Sequence, residues 1–108
     1  MNKRLTIKDL ENPNILDEIT EYFFGIDDNL ERMILQFIFK SKNYTASMSD
    51  IREHFVYKLG TCTTRRLYSR IESLLIFKFI DRKEINNHTF YNINDEWLKS
   101  IRENTRGL

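Results

Sequence analysis

The stretch from Thr61 to Leu75, TCTTRRLYSRIESLL, constrains this chain more than any other. At a helical period, Thr64, Leu67, Ile71, Leu74 and Leu75 fall on one face, with the i, i+3, i+4, i+7 spacing of a helix packed on a core. Cys62, Arg65, Arg66, Ser69 and Ser73 fall on the opposite face, with Arg70 at its edge, and no carboxylate is expected near its middle. Guanidinium forks and hydroxyls gathered in this way suit phosphates and the acceptor-rich edge of guanine. The pattern predicts a helix over residues 61–76 with one side buried and the other offered to a polyanion.

A chain of 108 residues makes one domain with a core of modest size. Eight Phe and five Tyr predict that large rings fill this core, and three Gly with one Pro favour helices over a turn-rich sandwich. The single Cys excludes an internal disulfide, argues against a thiolate zinc site and fits a reducing cytoplasm. No apolar run approaches the roughly 18 residues of a membrane span, and the N-terminus lacks the apolar core of a signal peptide. A cytoplasmic protein without a membrane partner is therefore expected. The net charge of +1 conceals an asymmetry: residues 1–31 hold three Lys/Arg and eight Asp/Glu, a charge of −5, and the remainder carries +6. An acidic arm on a basic body fits a molecule of which one part meets a polyanion. Random scatter of surface charge is the competing explanation.

Taken in order, residues 1–13 read as a polar arm ending at Pro13, the start of the acidic segment 1–31, and residues 14–108 as a single domain. Asn14–Phe24 is amphipathic, with Ile15, Ile19, Tyr22 and Phe23 on one side and Gly25 as its stop. Asp27 or Asp28 is placed to cap a largely buried helix reaching about Lys42, and Tyr44–Met48 is a connection with room for a short strand. Ser47 or Ser49 is placed to cap Asp50–Leu59, whose stripe is Ile51, Phe55 and Leu59. Gly60 is the turn, and Thr61 is expected to be both the N-cap and the start of the next helix. Ile80–Ile85 and Thr89–Ile93 flank Asn86-Asn87-His88, a hairpin signal because Asn tolerates positive φ. Asn94 or Asp95 then caps a last helix to about Asn104, with Trp97, Leu98 and Ile101 on its apolar side. The expected fold class is mainly α with a small β-hairpin wing (α+β): a winged helix-turn-helix with extra N- and C-terminal helices.

Leu67-Tyr68-x-x-Ile71-Glu72-Ser73-Leu74, followed by Phe79-Ile80-Asp81-Arg82, resembles the recognition helix and first wing strand of PadR-type regulators. Tyr91-Asn-Ile93-Asn94-Asp-Glu-Trp97-Leu98 resembles that family's second wing strand and the start of its C-terminal helix. Small winged-helix proteins of archaeal viruses share the Leu-Tyr…Ile-Asp/Glu-Ser-Leu pattern. The resemblance covers about residues 47–104 and implies a transcription regulator. Lys78 stands near the place of a usual glycine, Trp97 occupies another, and the wing tip has no Gly-Arg-rich loop.

For Arg65 and Arg66, position in the first turns after a helix-turn-helix points to bidentate guanine or phosphate contact. Thr61, Thr63 and Ser69 are placed for phosphates, Arg70 for backbone or the core margin, and Tyr68 for a half-buried site with its hydroxyl free. Arg82 and Lys83 open the wing, and His88 stands at its tip. Cys62 on the same face suggests either a redox switch or an inert thiol. No nucleophile motif, Gly-rich phosphate loop or metal-ligand spacing is present, so neither an enzyme nor a cofactor is expected, and a small-molecule effector is left open. Two functions follow. One is a sequence-specific regulator of double-stranded DNA, a homodimer built from Ile15, Ile19, Tyr22 and Phe23 with Trp97, Leu98 and Ile101. The other is a winged-helix protein–protein module of a transcription, replication or segregation assembly.

Overall fold

A computed structural model describes Ile26 and residues 28–105, with side chains 102, 104 and 105 outside the description. The expected arm over 1–13, the helix over 14–24 and the residues Ile15, Ile19, Tyr22 and Phe23 lie outside the described residues. The described elements form an α+β fold. Helix α1 (Asn29–Lys40) leads through a 3-10 turn (Lys42–Tyr44) to strand β1 (Thr45–Ser47). Helix α2 (Met48–Arg52) continues as a π turn (Glu53–Lys58), and helix α3 spans Thr64–Ile76. Strands β2 (Ile80–Ile85) and β3 (His88–Ile93) form a hairpin, and helix α4 (Asp95–Thr105) follows. The sheet is antiparallel in the order β1-β3-β2.

Local chemistry sets most boundaries. The Asp28 carboxylate caps α1 by accepting from the Glu31 N–H at 2.9 Å, and Ser47 caps α2 by accepting from Asp50 at 3.0 Å. Helix α1 stops at Lys40, two residues short of expectation, because Ser41 is extended and Asn43 has φ of 56°. The stripe of α2 ends at Phe55. Leu59 lies past the π turn, whose last bond runs from the Leu59 N–H to the His54 carbonyl at 3.0 Å, and is 54% exposed. In the hairpin, Asn86 and Asn87 both have positive φ (51° and 64°), as a two-residue I′ turn requires. His88 therefore belongs to β3, paired with Ile85, and not to the loop.

The end of α3 is a Schellman motif. The Phe79 N–H donates to the Leu74 carbonyl at 3.0 Å and the Lys78 N–H to the Leu75 carbonyl at 3.1 Å. Lys78 takes the left-handed conformation, φ 65°, that the motif normally gives to glycine. Left-handed backbone costs an L-residue roughly 1–2 kcal/mol, so Lys78→Gly is expected to raise stability by on the order of 1 kcal/mol. The midpoint of urea denaturation reads this out. An unchanged or lower midpoint would show that the lysine side chain compensates its own backbone.

Among the described residues, one core joins the four helices and the sheet. Ile34, Leu35, Ile38 and Phe39 of α1, Ile51 and Phe55, Leu67, Ile71 and Leu74 of α3, and Ile80 of β2 are all buried. Trp97 closes it, its ring centroid 5.9 Å from Phe39 and 4.9 Å from Phe79. Asn94 fastens α4 to the hairpin: its Oδ1 accepts from the Trp97 N–H at 2.8 Å, and its Nδ2 donates to Asp81 at 3.2 Å. Among the described residues, no helix is long and apolar enough to cross a membrane.

Candidate nucleic-acid interface

The outer face of α3 is built by the turn before it. Gly60, with φ of 61°, reverses the chain, and the Thr61 N–H donates to the Phe55 carbonyl at 2.9 Å. Cys62 then packs against the core, so the helix begins only after Thr63, whose Oγ1 accepts from the Arg66 N–H at 3.2 Å. Thr63, not Thr61, is the N-cap, and α3 starts three residues later than the hydrophobic spacing suggested. Thr61 is an exposed turn residue. Cys62 is half-buried in that turn, not on the helix face, and burial pushes its thiol up despite Arg66 nearby. That direction is opposite to the one a reactive thiolate needs.

On α3 itself, Leu67, Ile71 and Leu74 are buried, and Arg65, Arg66 and Ser69 are exposed. The side chains of Arg65 and Arg66 form no ion pair among the described residues. Tyr68 is 44% exposed. Arg70 turns away from this face: its Nη1 lies 3.4 Å from Asp28 Oδ2, tying α3 to the start of α1. The middle of the outer face is free of carboxylates, as expected, but its rim is not: Glu72 is exposed at i+7 from Arg65 and i+3 from Ser69, beside Arg65. The seven-residue spacing carried that signal.

The hairpin divides its two cations. Neighbouring strand residues point to opposite faces, so Arg82 and Lys83 cannot serve one surface. Arg82 sits opposite Tyr91, while Lys83 lines a cleft on the other face with Ser47, Asp50 and Phe90. Arg82 is already engaged: its Nη2 donates to Glu84 Oε1 at 3.0 Å, and the Thr89 hydroxyl lies 3.4 Å from the same oxygen. Spacing of two in a strand put Arg82 and Glu84 on one face, a pairing the sequence offered and the expectation missed.

That bond holds the Arg82 guanidinium above its ordinary value and the Glu84 carboxyl below the usual carboxylate range. The contribution of the pair is thus present at neutral pH and is lost only as pH falls through the lowered Glu84 value. Both side chains are exposed, so water screens the pair and it adds little to stability. Burial chiefly pushes the Tyr91 phenol up, and the Glu72 carboxylate of α3 is near enough to add to that direction. His88 is exposed at the start of β3.

Trp97 and Ile101 are 5% and 2% exposed, and Leu98 is 9% exposed. A small core does need them, because Trp97 fills the space between Phe39 and Phe79. In the single chain these three are core residues, and Ile15, Ile19, Tyr22 and Phe23, the other half of the expected dimer contact, lie outside the described residues. Among the described residues, large apolar side chains are most exposed at the end of α3, where Ile76 and Phe77 are each 67% exposed, and at Tyr57, 66% exposed.

Comparison with protein-family models, curated proteins and solved structures finds no match to this chain. The likeness to PadR-type regulators thus stands on the residues quoted for it.

Proposed function

We propose that the chain is a winged helix-turn-helix protein that binds double-stranded DNA and regulates transcription, with α3 in the major groove and the β2–β3 hairpin as its wing. The observation that carries this reading is the pair Arg65 and Arg66. Both are exposed in the first turn of α3, directly behind the reversal at Gly60, and neither is held by a carboxylate among the described residues. Free guanidinium forks at the start of a helix that follows a helix-turn are placed for guanine edges and phosphates. Arg70 and Arg82, held by Asp28 and Glu84, contribute less than their charge suggests.

Salt dependence tests the proposal. Each phosphate neutralised adds about −0.9 to the slope of log K against log[salt]. A single protomer meeting about three phosphates gives a slope of roughly −3, and two protomers on one site give roughly −5. A gel shift or fluorescence anisotropy titration on duplex DNA reads both affinity and slope. No binding at low salt, or a slope near zero, would defeat the DNA reading. The protein–protein module would then lead, and the exposed Ile76 and Phe77 favour it as a docking patch.

A further inference from the structure

We infer that Glu72 is a base-reading residue, selecting cytosine in the major groove on the same row of α3 from which Arg65 meets guanine. The inference rests on the proposed docking of α3. Arg65, Ser69 and Glu72 follow one another at i, i+4 and i+7, so they form a single exposed row. None of the three side chains makes a hydrogen bond or an ion pair among the described residues. Arg82 on β2 is near enough to feel the Glu72 charge, yet its guanidinium hydrogen-bonds to Glu84, so the Glu72 carboxylate keeps all its acceptor sites open.

A carboxylate only accepts hydrogen bonds. Phosphate oxygens, guanine O6 and N7 and thymine O4 are acceptors as well, so each repels it. Two donors face the major groove: the N4 amino group of cytosine and the N6 amino group of adenine. Adenine places the N7 acceptor beside its amine, against the second carboxylate oxygen, whereas cytosine presents only the C5–H there. An unpaired Glu72 in the groove therefore finds one satisfactory partner, and its other encounters are penalties. That combination of one attraction and several repulsions yields discrimination, not tight binding in general.

Selection from a random duplex library tests this, using the whole chain and its Glu72→Ala and Glu72→Gln variants. The side chain is exposed, and circular dichroism verifies that both variants are folded. The wild type is expected to enrich sites with one cytosine favoured about 5-fold over other bases, the lower end of the range for a bidentate base contact because cytosine offers a single donor. Glu72→Ala should flatten that position alone, and Glu72→Gln should move it to adenine, whose N6 and N7 match an amide. Enriched sites in which neither variant alters any single position would overturn the inference while leaving DNA binding in place. So would a Glu72→Ala variant that binds all sequences more tightly by one common factor. If the wild type retains no duplex at all, the docking of α3 fails and this inference with it.

Discussion

Replacing Trp97 with alanine is expected to destabilise the fold by about 3–5 kcal/mol, the usual loss when a buried aromatic is truncated and its cavity cannot collapse. The ring is 5% exposed and packs on Phe39 and Phe79, so its removal detaches the start of α4 from both α1 and the turn before β2. Domains of this size have about 5–15 kcal/mol in total, which makes the loss a large fraction. The melting temperature should fall by more than about 10 °C, since each kcal/mol is worth roughly 4–8 °C in a small domain. Trp97 is the sole tryptophan, so its fluorescence follows the same transition in the unaltered chain. An unchanged melting temperature together with a changed oligomeric state would restore Trp97 to a contact between copies.

Truncation of Arg65 or Arg66 to alanine should separate base reading from general attraction. A bidentate base contact is worth about 1–3 kcal/mol on a selected site, and much less on random duplex. Each variant is therefore expected to lose affinity for the selected site while nonspecific binding changes little. Arg82→Ala should behave differently. Its guanidinium already bonds to Glu84, so DNA must displace a carboxylate to reach it, and the net loss should be small and equal on all sequences. Anisotropy titrations on selected and scrambled duplexes at one salt concentration distinguish the two patterns. If Arg82→Ala abolished discrimination while both α3 variants were indifferent, the hairpin would be the reading element and the docking proposed for α3 would be incorrect.

Short-range spacing along the chain determined a good deal by itself. The buried side of α3 follows from Leu67, Ile71 and Leu74, the hairpin from Asn86-Asn87, and the start of α4 from Asn94, because each depends on helical period, turn chemistry or capping within a few residues. The same spacing held Glu72 on the outer row and Glu84 beside Arg82, though neither was used. Tertiary structure alone decided the rest. Helix α3 begins at Thr64 because Cys62 is drawn against a core assembled from other helices. Arg70 is withdrawn from the outer face by Asp28, more than forty residues earlier in the chain, and Trp97 is taken into the core by Phe39. An amphipathic pattern states that a side chain is apolar or charged and which way it points. It cannot state which distant group arrives opposite, and that arrival fixes whether an indole fills its own core or a guanidinium stays free for a partner.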